Sequence, residues 1–128
     1  MTTRQQLRIL PALKRAGGPA ILRRAADILN RNGWIQGVNH HKNSGRVDIQ
    51  GALALASGAK DEELRDDIYA TAEAMGAHRA VPKMLSLYDF MDAYIGEDPA
   101  TWNDKEGRTK ERVVSMLNGL ADQLDALL

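Results

Sequence analysis

A chain of 128 residues has room for one domain and is long enough to bury a core without metal or disulfide staples. It contains no cysteine, which excludes disulfides, thiolate metal sites and cysteine nucleophiles. Its formal net charge is zero, but the two halves differ: residues 1–60 carry ten Lys/Arg against two Asp/Glu (+8), and residues 61–128 carry seven against fifteen (−8).

Helical periodicity dominates the chain. Leu7, Leu10 and Leu13 share a face, and Pro11 suits the first turn of a helix there. Residues 1–16 read as a basic N-terminal extension of the single domain 1–128. Gly17-Gly18-Pro19 breaks the chain and opens a second helix, with Ile21, Leu22, Ala25, Ile28 and Leu29 on its apolar side and Asn32-Gly33 as its stop. Residues 33–46 read as a loop punctuated by glycine and asparagine. A short extended piece fits within residues 34–49, at Trp34-Ile35 or at Val47-Asp48-Ile49. Residues 51–58 are apolar nearly all round, so a helix there is deeply buried.

Asp61 caps a further helix with Leu64, Ile68, Ala72 and Met75 on one face, ended by Gly76 and Pro82. Ser86 opens the next, with Met84, Leu87, Met91, Tyr94 and Ile95 as its apolar side, stopped by the run from Gly96 to Pro99. The last helix starts near Thr109. Its Val113, Leu117, Leu120, Leu124 and Leu127 step by 4, 3, 4 and 3. The expected fold is all-α, a compact bundle of five to six short helices.

Trp102-Asn103-Asp104, with Arg108 and Thr109 beyond, offers two readings. It is a polar ligand or enzyme site walled by Trp102 or Trp34, or a turn locked by its own hydrogen bonds. The basic residues Arg4, Arg8, Lys14, Arg15, Arg23 and Arg24 suit phosphate contacts. Against nucleic acid stand the lack of any aromatic before Trp34 and a whole-chain pI of about 6.8. The simpler use of the charge asymmetry is attraction between the two halves, which makes the basic and acidic elements neighbours. The seam through Val113, Leu117, Leu120 and Leu124 either packs within the chain or forms a homodimer contact.

His40-His41 with Asp48 falls short of the ligand set that zinc needs, and no metal or other cofactor is expected. Serine-hydrolase, phosphate-loop and dinucleotide fingerprints are missing, so no catalytic residue is assigned. The N-terminal residues lack the apolar run of a signal peptide, and no stretch approaches the roughly 18 apolar residues of a membrane span, so the expected location is the cytoplasm.

The blocks Ile21–Leu29, Gly33-Trp34-Ile35-Gln36-Gly37, Gly51-Ala52-Leu53, Trp102-Asn103-Asp104 and Gly107-Arg108-Thr109, followed by Val113, resemble an uncharacterised family of actinobacteria and their phages. The resemblance spans roughly residues 18 to 125. Where members of that family often carry a cysteine, before the Gly-Ala-Leu block, this chain has Asp48-Ile49-Gln50. The resemblance implies a helical fold and an actinobacterial or phage setting, but no reaction. Together with the missing catalytic motifs, it favours a non-enzymatic binding protein with a protein partner.

Overall fold

In the computed structural model, residues 10–11, 13–15, 17–37, 41, 44–58 and 80–128 are described, with the backbone alone for 80–86. These residues contain α1 (Gly18–Asn32), α2 (Ile49–Ala56), α3 (Ala80–Ile95), α4 (Pro99–Asn103) and α5 (Lys110–Leu127). Residues 10–11 and 13–15 are helical as well. The described fold is all-α. The helix expected over residues 61–76 lies outside the described residues.

Helix α1 has Pro19 in its first turn, where a missing N–H is harmless, and ends at Gly33. Its stripe of Ile21, Leu22, Ala25, Ala26, Ile28 and Leu29 is buried. The surface it covers is the seam of α5, and among the described elements α1 packs most extensively on α5. Val113, Leu117, Leu120, Ala121 and Leu124 are all 0% exposed, so this seam is part of the chain's own core. Each buried leucine contributes about 1.5–3 kcal/mol relative to exposure. Thr109 opens α5 by accepting a hydrogen bond from Arg112 N at 3.2 Å.

The charged rim of the α1–α5 contact joins the basic and acidic halves. Arg23 Nη2 donates to Asp122 Oδ1 at 2.8 Å and to Asp125 Oδ2 at 2.6 Å. These groups are well exposed, so the pairs favour one register of the two helices more than they add stability. Arg24 Nη1 donates to Ala56 O at 2.8 Å and ties α1 to the C-terminal end of α2, where a cation is favoured.

Helix α2 is buried almost all round, as its composition predicts, with Gln50 among its buried residues. It begins two residues before Gly51 because Asp48 serves as its cap, accepting from Gly51 N at 2.8 Å. Helix α3 corrects the expected start at Ser86. It begins at Ala80 and runs through Pro82, which lies in the first turn, where the N–H groups have no partner within the helix. Its buried face also differs from expectation. Leu87, Phe90 and Met91 are buried, whereas Tyr94 is 42% exposed.

Helix α4 occupies a stretch read as loop and turn. Asp98 caps it by accepting from Thr101 N at 3.0 Å, and Pro99 stands in its first turn. The Tyr88 hydroxyl donates to Asp98 Oδ1 and accepts from Ala100 N, both at 3.0 Å, which fastens α3 to the start of α4.

Two glycines make opposite demands. A Cβ on Gly18 would stand 2.9 Å from Leu124 Cδ2, 3.3 Å from Leu13 O and 3.4 Å from Leu87 Cδ2. A Cβ on Gly119 would meet nothing within 4 Å. Gly18→Ala is therefore expected to lower stability by about 1 kcal/mol or more through overpacking. Gly119→Ala is expected to raise it by about 0.5–1 kcal/mol through helix propensity. Urea denaturation of both variants checks the pair; the same sign for both contradicts it.

Candidate functional site

The residues singled out by the sequence meet where α1 ends. Gly33 N donates to Leu29 O at 3.0 Å, and the positive φ of Gly33 (95°) turns the chain out of the helix. A side chain there would also collide with Arg46, since a Cβ would stand 2.7 Å from Arg46 Cγ. Trp34 is then extended and pairs in parallel with Val47, through Val47 N to Gly33 O and Ile35 N to Val47 O, both 3.1 Å. The two alternative extended pieces are thus partners of each other.

Asn103, the last residue of α4, is 0% exposed and sits against this pairing. Its Oδ1 accepts from Trp34 Nε1 at 2.7 Å and from Ile49 N at 3.3 Å. Its Nδ2 donates to Ile35 O at 3.2 Å and to Asp104 Oδ1 at 2.9 Å. The carboxamide therefore uses both donors and both acceptor positions within the protein. Gln36 Nε2 donates to Asn103 O at 3.0 Å and to Lys105 O at 2.9 Å, and Gly37 N donates to Asp104 Oδ1 at 3.0 Å.

Trp102 is buried beneath Arg108. The guanidinium carbon lies 3.8 Å from the ring centroid, and Arg108 Nε donates to Trp102 O at 2.9 Å. Lys105 pairs with Glu97 at 2.8 Å across the same turn. Trp34, Trp102, Asn103, Asp104 and Arg108 are brought together, but each is held by the chain itself. As built, the arrangement is a lock between the turn after α1 and the turn after α4.

Asp48 lies one residue from this lock and is 3% exposed. Burial pushes its carboxyl up to about 7, and the neighbouring Asp104 charge adds to the rise, against the Gly51 N–H that favours the ionised form. The folded state holds this proton more tightly than the unfolded chain does. The associated stability is fully present below about pH 4 and is lost as pH rises through 7.

The remaining sequence candidates are dispersed. Lys14 and Arg15 are exposed, Arg23 and Arg24 are bonded to α5 and α2, and Arg4 and Arg8 lie outside the described residues. His41 Nδ1 lies 2.8 Å from Ser44 Oγ, and His40 is outside the described residues. Among the described residues no three His, Cys, Asp or Glu side chains cluster as a metal site would require. No described helix is long and apolar enough to cross a membrane.

Sequence reasoning missed three parts of the lock. Gln36 and Gly37 read as loop and as part of the Gly33–Gly37 block, with no bonding role given to either, and the capping role of Asp48 is not recognised. An Asp immediately before an apolar helical run is the signal that would have found Asp48.

Asn103→Ala leaves the Trp34 indole and Ile49 N without their acceptor, and is expected to lower stability by about 3 kcal/mol. A loss below about 1 kcal/mol in urea denaturation contradicts the lock. Asp48→Asn keeps a capping oxygen without the buried charge. It is expected to match the wild type in Tm at about pH 4 and to exceed it increasingly as pH rises to 8, because the wild type carries the extra loss from ionising Asp48.

Searches of curated proteins and of solved structures return no match to this chain. A family profile matches residues 15–123, which includes every block of the lock and most of α5. The chain belongs to the family of unknown function designated DUF6197.

Proposed function

We propose that the protein is a non-enzymatic interaction module that acts by binding a protein partner. The observation that carries this reading is the inward use of its chemically capable side chains. The Asn103 carboxamide is saturated by four internal hydrogen bonds, Asp104 accepts from Gly37 and Asn103, and Arg108 is stacked on Trp102. A ligand at that turn would have to break these bonds before making its own, which costs about 1–3 kcal/mol for each buried group left unpaired. A built site instead holds polar groups ready for the reacting molecule.

The resemblance to actinobacterial and phage proteins suggests the setting. A phage-encoded copy would act in the host cytoplasm by occupying a surface of a host protein. Affinity capture by the full chain from an actinobacterial lysate, followed by mass spectrometry, tests the reading. The expected result is a saturable protein partner that survives nuclease treatment. Recovery of no partner, together with unchanged growth of a host expressing the chain, would overturn it.

A further inference from the structure

Two carboxylates are drawn to the Asn103 carboxamide, and no described cation is bonded to either. Asp48 is 3% exposed, and its Oδ1 caps α2 by accepting from Gly51 N at 2.8 Å. Both chain neighbours of Asp48 are bonded into the lock. Val47 is bridged to Trp34, and Ile49 N donates to Asn103 Oδ1 at 3.3 Å. On the other side of the same carboxamide, Asn103 Nδ2 donates to Asp104 Oδ1 at 2.9 Å, and Gly37 N donates to that oxygen at 3.0 Å.

The other charged side chains on the elements around Asp48 are engaged elsewhere or exposed. On α1, Arg24 bonds Ala56 O at the opposite end of α2, and Asp27 and Arg31 are exposed. Arg46 bonds Ser44 Oγ, Lys105 pairs with Glu97, Glu106 is exposed, and Arg108 lies on Trp102. On α3, Asp89 and Asp92 are exposed, and Asp98 at the start of α4 accepts from Thr101 N and the Tyr88 hydroxyl. Among the described residues, Asp104 is the charge set against Asp48, and its effect is repulsive. The two carboxylates are unequal. Asp48 is buried and tied to the N-terminus of α2, whereas Asp104 is exposed and stands on a turn. A negative charge on Asp48 lacks both solvent and a counter-ion, and the part able to yield is the turn that carries Asp104.

We infer that Asp48 is a proton-operated latch: while its carboxyl is neutral, Asp104 and Lys105 stay docked on Gln36 and Gly37, and on ionisation that turn swings away and admits water to Asp48. The bonds released are those of Gly37 N and Asn103 Nδ2 to Asp104 Oδ1 and of Gln36 Nε2 to Lys105 O. Those of Gly37 and Lys105 are exposed, so water replaces them at little cost. The α1–α5 seam takes no part in them, so the opening is local and the bundle stays folded. Burial first and Asp104 second push the Asp48 carboxyl up to about 7, so the change falls near neutral pH. Release of the turn relieves both causes. The latch does not depend on the interaction-module reading.

Amide hydrogen exchange of the full chain at pH 5 and pH 8, corrected for the intrinsic rate at each pH, tests the latch. Protection of the Gly37 amide is expected to fall by roughly ten-fold or more between the two. That fall should be insensitive to low urea, because a local opening exposes little surface, whereas protection of the Leu117 and Leu120 amides should depend on urea. Over the same interval the Gln36 side-chain amide resonances should move to those of a solvated glutamine. Asp48→Asn keeps the cap and should remove the pH dependence. Asp104→Asn keeps the acceptor oxygen without the second charge and should make the loss smaller. His41→Gln, at the titratable side chain of the connection before α2, should leave the loss unchanged. Protection of Gly37 that ignores pH would overturn the latch. So would a Gly37 amide that shares the urea dependence of Leu117 and Leu120, since the loss would then be unfolding of the whole chain. A wild-type loss in Asp48→Asn or Asp104→Asn, or its disappearance in His41→Gln, would each overturn it as well.

Discussion

The carboxamide of Asn103 joins three chain segments that otherwise meet through one β-bridge and a few side-chain bonds. Its oxygen is shared by the Trp34 indole and the first N–H of α2, and its nitrogen reaches the backbone of Ile35. In a buried setting such bonds are strong and an unmet partner is costly, so the three segments are held to one relative placement. The parallel pairing of Trp34 with Val47 is a single bridge and would be weak alone. With Asn103 set against it, the turn after α1, the cap of α2 and the end of α4 become one unit.

That polar unit and the apolar core have different tasks. Contact between α1 and the α5 seam removes several leucine side chains from water and contributes hydrophobic driving force. The lock adds direction: it decides how the connection between α1 and α2 is routed and where α4 rests. Arg23 and Arg24 work at the boundary of the two, bridging α1 to α5 and to α2. Asp48 is the exception to this mutual support. Its cap is sound as geometry but sets a carboxylate in a buried place beside Asp104, and the strain appears as a raised affinity for a proton.

The functional picture follows from which surfaces remain. The Trp102–Thr109 turn, the most chemically varied stretch of the chain, is occupied by its own bonds. The seam of α5 is covered by α1. Among the described residues, α3 and α5 also line a surface groove that includes Tyr94, Arg112 and Met116.

The sequence by itself determined the helices whose signals are local. Pro19 and Gly33 bound α1, Thr109 opens α5, and the 3.6-residue spacing marks the buried stripes of both. The all-round apolar run after Asp48 foretold the burial of α2. Local signals misjudged α3, since Pro82 is a terminator in one frame and a tolerated first-turn residue in another. The hydrogen bonds that Asn103 makes to Trp34 and Ile49 span 69 and 54 residues. Nothing in the near neighbourhood of Trp102-Asn103-Asp104 encodes those partners, so the sequence favours a self-locked turn without saying what it is locked to. Only the tertiary structure showed that Trp34, Ile35 and Ile49 are what the turn is bonded to. Satisfying a buried polar group depends on which distant backbone arrives beside it, and that is set by the packing of the whole bundle.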